Sequence, residues 1–63
     1  MEQVTIKEDK WEGPGIYSVL TTRNGHQWYQ VYSGKRDKAL KICNAFKSVG
    51  YKKVDKAEGS ILK

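Results

Sequence analysis

The clearest structural signal in the chain is the segment of residues 15–34, GIYSVLTTRNGHQWYQVYSG. It contains two runs rich in β-branched and aromatic residues, which favour β-strands, on either side of the dipeptide Asn24-Gly25. Asn-Gly is the preferred pair for a two-residue type I′ turn, because both turn positions need a positive φ. The stretch therefore predicts a β-hairpin whose register places Thr21 opposite Trp28.

Outward from the hairpin, the sequence predicts one strand before it and a helix and a strand after it. Residues 4–6 alternate apolar and polar side chains and predict the first strand. Apolar residues recur at helical spacing between residues 35 and 49, Gly50 follows as a stop signal, and residues 51–54 predict a last short strand. We expect an α+β fold in β-β-β-α-β order, a small antiparallel sheet of three to four strands with one amphipathic helix packed on one face. The apolar stripe of the helix consists of Ala39, Ile42, Cys43, Phe46 and Val49.

The length of 63 residues allows a single small domain covering residues 1–63, in which residues 1–3 and 56–63 are candidates for frayed tails. So short a chain has no room for a deep catalytic cleft, and we expect no enzymatic activity. One His and one Cys are too few for a structural zinc site, so we expect no metal and no cofactor. The sequence has neither an apolar secretion signal nor an apolar run of membrane length, which predicts a cytoplasmic protein without a membrane partner.

The charge is distributed unevenly along the chain. Twelve Lys or Arg residues against seven Asp or Glu give a formal net charge of +5. Residues 1–22 hold two basic and four acidic residues, a net of −2, whereas residues 23–63 hold ten basic and three acidic residues, a net of +7. This asymmetry favours a polyanionic partner, although a lysine-rich surface that only keeps the protein soluble explains it equally well. Only two of the twelve basic residues are Arg, the side chain preferred for base-specific contacts.

One face of the predicted hairpin combines aromatic rings with hydrogen-bonding side chains. If the helix covers the opposite face, which carries Ile16, Leu20, Tyr29 and Val31, this face is exposed and its rings can stack on bases. The basic residues at the helix start would then contact phosphates. The candidate nucleic-acid-binding residues are Tyr17, Arg23, His26, Trp28, Gln30, Tyr32, Lys35, Arg36, Lys38 and Lys41.

The reverse assignment of the two hairpin faces stays open, because strand alternation alone does not distinguish two half-apolar faces. In that arrangement Trp28 and Tyr32 are core residues. The other face is then covered by Trp11 or by the C-terminal Ile61 and Leu62. A third interpretation is that the exposed aromatic face is an interface with another protein or with a second copy of the chain.

Two partial resemblances to known families accompany these patterns. Residues 28–34 (WYQVYSG), followed by 37–40 (DKAL) and 48–51 (SVGY), resemble one half of a SPOR domain, an envelope module that binds glycan strands. This resemblance covers fewer than half of the residues and lacks the second half of the module. The order of hairpin and helix, with Trp28 and Tyr32 in the second hairpin strand, is similar to the AP2-like DNA-binding domains of phage-type integrases. That similarity of pattern implies DNA binding through the sheet.

We therefore expect a non-catalytic nucleic-acid-binding module that uses the aromatic-basic sheet face together with lysines at the helix start. The alternative is a small protein-binding regulator or inhibitor, of the kind that phages make as accessory proteins. It would dock on an acidic host protein through the hairpin or a sheet edge. A homodimer is compatible with either function.

Overall fold

The computed structural model describes residues 1–8 and 14–57, and the backbone of residues 60–62. The elements are β1 (Gln3–Glu8), β2 (Ile16–Thr22), β3 (Gln27–Lys35), α1 (Arg36–Ser48), β4 (Lys52–Lys53) and β5 (Ser60–Leu62). The strands form one mixed sheet of order β4-β1-β2-β3-β5. Strand β2 pairs antiparallel with β1 and β3, whereas β4 pairs parallel with β1 and β5 pairs parallel with β3.

The predicted α+β class and the order β-β-β-α-β are confirmed, although the sheet is not purely antiparallel. The mixture follows from α1, because a helical crossover returns the chain parallel to the strand that it left. Strand β4 accordingly runs in the same direction as β1 and β3. Strand β5 is an addition that the sequence pattern does not predict, because three residues are too few to display a strand period.

Helix α1 lies close to its predicted bounds, and its stop signal is confirmed. Gly50 has a φ of +109° and its N–H donates to the Lys47 carbonyl oxygen at 3.1 Å. The N–H of Tyr51 donates to the Phe46 carbonyl oxygen, also at 3.1 Å. These two bonds form a Schellman motif, which requires a residue of positive φ after the helix. Val49 belongs to the predicted apolar stripe but is 72% exposed, because the helix ends one residue before it.

The hairpin is confirmed, but its turn is not the predicted one. Gly25 has a φ of +83°, whereas the φ of Asn24 is not positive, which excludes a type I′ turn. Instead, residues 23–26 form a longer loop around the Asn24 side chain. Its Oδ1 atom accepts hydrogen bonds from the backbone N–H groups of His26 and Gln27, at 2.8 and 3.0 Å. The loop is therefore held by a side-chain acceptor that binds two of its backbone N–H groups.

The longer loop shifts the hairpin register by one residue. Thr21 pairs with Tyr29, and not with Trp28 as predicted. Because successive side chains of a strand point to opposite faces, a one-residue slip exchanges the two faces. Tyr29 consequently shares a face with Thr21, and Trp28 lies on the other side of the sheet.

A β-bulge in β3 reverses this exchange further along the strand. Val19 pairs with Tyr32, whereas the neighbouring Leu20 pairs with Gln30, so Val31 is the extra residue of β3. Beyond the bulge, Tyr32 shares a face with Val19. Before the bulge, Gln30 shares the opposite face with Leu20. The side chains predicted to form one continuous face are thus divided between two.

The near face of the sheet, defined as the face that α1 covers, carries the main core. The buried members of this core are Val4, Val19, Ala39 and Cys43, and the partly buried side chains packed against them are Ile6, Tyr17, Tyr32, Ile42, Phe46 and Tyr51. The expectation that α1 covers the face of Ile16 and Leu20 is therefore wrong. Register and bulge together place the helix over the face of Tyr17 and Val19.

The far face of the sheet is buried as well. The side chains of Leu20 and Trp28 lie on this face, and they are 2% and 1% exposed. Three polar residues share this environment and are also buried, namely Thr5, Ser18 and Thr22. The interior of the protein thus extends to both sides of β2.

The chain that follows β4 borders the far face. Residues 55–57 line a cleft together with Thr5 and Lys7 on this face. The sequence also offers Trp11 and the side chains of residues 61–62 as cover, and these lie outside the described residues.

Truncating two neighbouring rings of β3 tests which face is buried. Trp28→Ala empties a buried site, so we expect a loss of about 3–5 kcal/mol in the free energy of unfolding. Tyr29→Ala removes a ring that is 48% exposed, and we expect a loss of about 1 kcal/mol. Urea unfolding followed by circular dichroism measures both losses. An equal or larger loss for Tyr29→Ala would contradict the face assignment.

Replacing Asn24 tests whether its side chain sets the hairpin loop. Asn24→Ala leaves two backbone N–H groups without their acceptor, and we expect a loss of about 1–2 kcal/mol in the free energy of unfolding. Asn24→Asp keeps an oxygen acceptor and is expected to retain most of the stability. Thermal unfolding of the two variants gives the comparison, and equal stabilities would show that the loop does not depend on this acceptor.

Candidate functional site

The structure separates the predicted site residues into two groups by exposure. The prediction of a single exposed aromatic face is wrong. Its rings are divided between the near and far faces, and none of them is fully exposed. Tyr17, Trp28, Gln30 and Tyr32 are buried or half-buried, whereas Arg23, His26, Lys35, Arg36, Lys38 and Lys41 are exposed.

The rings of Tyr17 and Tyr32 pack under α1. Both are partly buried against the near-face core. Gly34, which pairs with Tyr17, leaves the space that the Tyr32 ring occupies. A Cβ atom at position 34 would lie only 2.7 Å from the Cζ atom of Tyr32. These two rings therefore have a structural role in the core.

Trp28 and Gln30 belong to the far face. Trp28 is 1% exposed, so no ring face is available for stacking on a ligand. The Gln30 Nε2 atom donates to the Ser18 Oγ atom at 3.3 Å, which joins β3 to β2. Both side chains therefore stabilise the hairpin from within.

The basic residues at the start of α1 are all exposed. Lys38 and Lys41 are three residues apart and share one side of the helix, whereas Arg36 lies about 160° around the axis from Lys38. Lys35 is the N-cap residue, and no side chain caps the helix there. The positive charges therefore surround the N-terminus of α1, where the backbone N–H groups and the helix dipole also attract anions.

The structure brings a different set of rings together at the surface. Because α1 runs antiparallel to β3, its last turn lies beside the N-terminal half of that strand. An open cleft of about 470 Å³ lies there between the helix end and β3. Tyr29 and Val31 line it from the strand, and they are 48% and 43% exposed. We call this site the aromatic cleft, and its lining is Thr21, Thr22, Arg23, Tyr29, Val31, Phe46 and Tyr51.

The helix side of the aromatic cleft is built by the Schellman motif. The ring centroids of Phe46 and Tyr51 are 5.0 Å apart and their planes make an angle of 70°, an edge-to-face arrangement. These two positions commonly make an apolar contact when a Schellman motif ends a helix. The pair was not among the predicted site residues, although the segment FKSVGY carries its signal.

The strand side of the aromatic cleft depends on the two irregularities of the hairpin. The longer loop places Tyr29 on the near face, and the bulge lies at Val31. The helix packs over the rest of this face but leaves both side chains accessible. No pattern in the sequence marks these two residues as surface residues, since both resemble ordinary core residues of a strand.

The aromatic cleft lies in a basic surface. All ten Lys and Arg side chains of the described residues are exposed, against four exposed carboxylates. Arg23 lines the cleft, and no Asp or Glu of the described chain does so. The amino group of Met1 donates to the backbone carbonyl oxygen of Arg23 at 2.7 Å. The surface around the cleft is therefore positively charged, and Arg23 is the basic residue that lines the cleft itself.

The described part of the chain gives little support for catalysis, metal binding or membrane insertion. A second cleft, of about 690 Å³, contains one imidazole and one carboxylate, from His26 and Asp55. Within residues 1–8 and 14–57, no three His, Cys, Asp or Glu side chains come together as a metal site. Cys43 is 1% exposed in the core, which keeps its thiol from a substrate. Helix α1 is too short and too polar to cross a membrane.

Comparison with known proteins assigns no family. No protein-family description matches the chain, and neither the curated proteins nor the solved structures contain a significant match to it. The resemblances to half a SPOR domain and to AP2-like domains gain no support from these comparisons.

Replacing Gly50 tests the helix side of the cleft. At a φ of +109° a Cβ atom is strained, so we expect Gly50→Ala to reduce the free energy of unfolding by about 1 kcal/mol and to separate Tyr51 from Phe46. Ala45→Gly, at an exposed position of α1, costs a similar amount of about 1 kcal/mol but leaves the rings together. Ring-to-ring nuclear Overhauser effects distinguish the two variants. Unchanged Overhauser effects in Gly50→Ala would contradict this role of the motif.

Proposed function

We propose that this protein is a non-catalytic nucleic-acid-binding module. The observation that supports it best is the aromatic cleft, where the rings of Tyr29, Phe46 and Tyr51 lie beside Arg23. Every base has a flat face that stacks on an aromatic ring, and one stacking contact is worth about 1–3 kcal/mol. The exposed basic side chains would add attraction to the phosphates, which depends on salt.

The proposal keeps the function expected from the sequence but moves the stacking surface. Tyr17, Trp28 and Tyr32 support the fold, and the rings offered to a ligand lie at the opposite end of α1 from its basic start. Arg23 belongs to both the predicted and the revised surface. The lysines around the helix start keep their proposed role as phosphate contacts. Their role needs only exposure and charge.

The composition of the surface favours binding with little base specificity. Eight of the ten exposed basic side chains in the described chain are Lys, which acts as a point charge, whereas Arg makes the bidentate contacts that read base edges. Phosphate contacts position a ligand without reading its sequence. The proposed activity is therefore binding of nucleic acid in the cytoplasm with little dependence on its sequence.

The non-catalytic part of the proposal rests on the lining of the cleft. Its described side chains offer hydroxyl groups, rings and one guanidinium. General acid–base catalysis at neutral pH usually needs an imidazole or a carboxylate at the reacting atoms. We propose that the cleft holds a ligand and does not transform it.

The alternative function, a protein-binding regulator of the phage accessory type, has one observation in its favour. Strand β5 pairs with β3 only at residues 27–29. Among the described residues, nothing pairs with the outer edge of β3 over residues 31–35. An added strand from an acidic partner, or from a second copy of the chain, would fit such an edge. A stoichiometric protein partner that remains bound after nuclease treatment would favour this alternative.

Salt dependence and charge removal test the proposed function. Contacts to three phosphates give a slope of about −2.1 to −2.7 in log affinity against log salt, so affinity should fall roughly 40- to 130-fold between about 50 and 300 mM salt. Removing two contacts with Lys38→Gln and Lys41→Gln should flatten the slope by roughly 1.4–1.8. Fluorescence anisotropy with a labelled oligonucleotide measures both quantities.

The matched control for this experiment removes the same charge from the far face. Lys7 and Lys56 are exposed there and line one cleft, so the pair Lys7→Gln and Lys56→Gln should change the slope much less. An affinity that does not depend on salt would contradict the proposed function. Equal effects of the two pairs would contradict the location of the phosphate contacts.

A further inference from the structure

We infer that the aromatic cleft takes unpaired bases, so that the ligand of this protein is single-stranded nucleic acid. The inference rests on the proposed function and narrows its ligand class. It depends on the shape of the cleft, on the rigidity of its walls, and on the position of the charges relative to it.

The shape of the cleft excludes a paired base. In a duplex the base faces are covered by stacking, and only the base edges are accessible, from grooves that admit a protruding helix or ribbon. Tyr29, Phe46 and Tyr51 are among the residues that line a recess between a strand and a helix end. A base reaches such a recess only after it has left the stack, which a single strand allows at little cost.

The two walls of the cleft suit the insertion of a flat ring. On the helix side, Phe46 and Tyr51 hold each other at a centroid distance of 5.0 Å. On the strand side, Tyr29 is fixed to β2 by its pairing with Thr21. Both walls are thus preorganised by backbone hydrogen bonds, which lowers the entropic cost of binding. The 48% exposure of the Tyr29 ring leaves it open to a ligand.

The charges lie where a flexible strand can use them. The cleft is at the C-terminal end of α1, where the helix dipole disfavours a phosphate, and the basic cluster surrounds the other end. Thirteen helical residues separate these ends by roughly 20 Å. A strand with one base in the cleft reaches the basic cluster with about six nucleotides at stacked spacing of about 3.4 Å. Arg23 remains beside the cleft for the nearest phosphate.

The test compares one strand of about twelve nucleotides, free and annealed to its complement, by fluorescence anisotropy at about 50 mM salt. We expect the single strand to bind at least about tenfold more tightly than the duplex. Tyr29→Ala should weaken single-strand binding by about 5- to 150-fold and leave the salt slope unchanged, because a ring and not a charge is lost. Tyr29→Phe should bind like the unmodified protein.

Val49→Ala is the matched control, because Val49 is 72% exposed and lies outside the cleft lining. It should leave the affinity unchanged, and circular dichroism should confirm that each variant is folded. Duplex binding as tight as single-strand binding, or an unchanged affinity in Tyr29→Ala, overturns this inference but leaves the proposed function standing. Failure of both probes to bind overturns the two together.

Discussion

The capping of the hairpin loop by Asn24 determines which side chains of β3 lie on which face of the sheet. Its Oδ1 atom accepts from two successive backbone N–H groups, those of His26 and Gln27. This local bond makes the loop longer than a two-residue turn, and loop length fixes register in a hairpin. The register in turn places Trp28 in the interior and Tyr29 at the surface. One side-chain acceptor thus decides which ring supports the fold and which is offered to a ligand.

The bulge at Val31 completes this division of β3. Without it, the one-residue slip would carry Tyr32 to the far face and leave the helix without its largest partner on β3. With it, Tyr32 returns under α1 and fills the space over Gly34. The two halves of β3 therefore have different structural roles. Its second half packs under the helix, and its first half remains open beside the helix end as one wall of the aromatic cleft.

The features that the sequence predicts correctly are those set by neighbouring residues. The hairpin, the helix and its stop at Gly50 each depend on local propensity, and they are found close to where the pattern places them. The faces are different, because both sides of the hairpin are half apolar and a single slip exchanges them. Asn24-Gly25 is compatible with more than one type of turn, and no sequence pattern predicts the bulge. Of the candidate site, Arg23 and the Phe46–Tyr51 pair carry sequence signals, whereas Tyr29 does not.

An open aromatic cleft has a thermodynamic consequence in a chain of this size. A domain of about 60 residues buries only about 60% of the surface of its unfolded chain, so its free energy of unfolding is small. Leaving Tyr29 and Val31 half exposed reduces this free energy further. A ligand that covers these side chains binds the folded state and not the unfolded chain. It therefore raises the free energy of unfolding by RT ln(1 + [L]/Kd), about 2.7 kcal/mol at a hundredfold excess over Kd. The site that weakens the free protein is thus the site through which a ligand would stabilise it most.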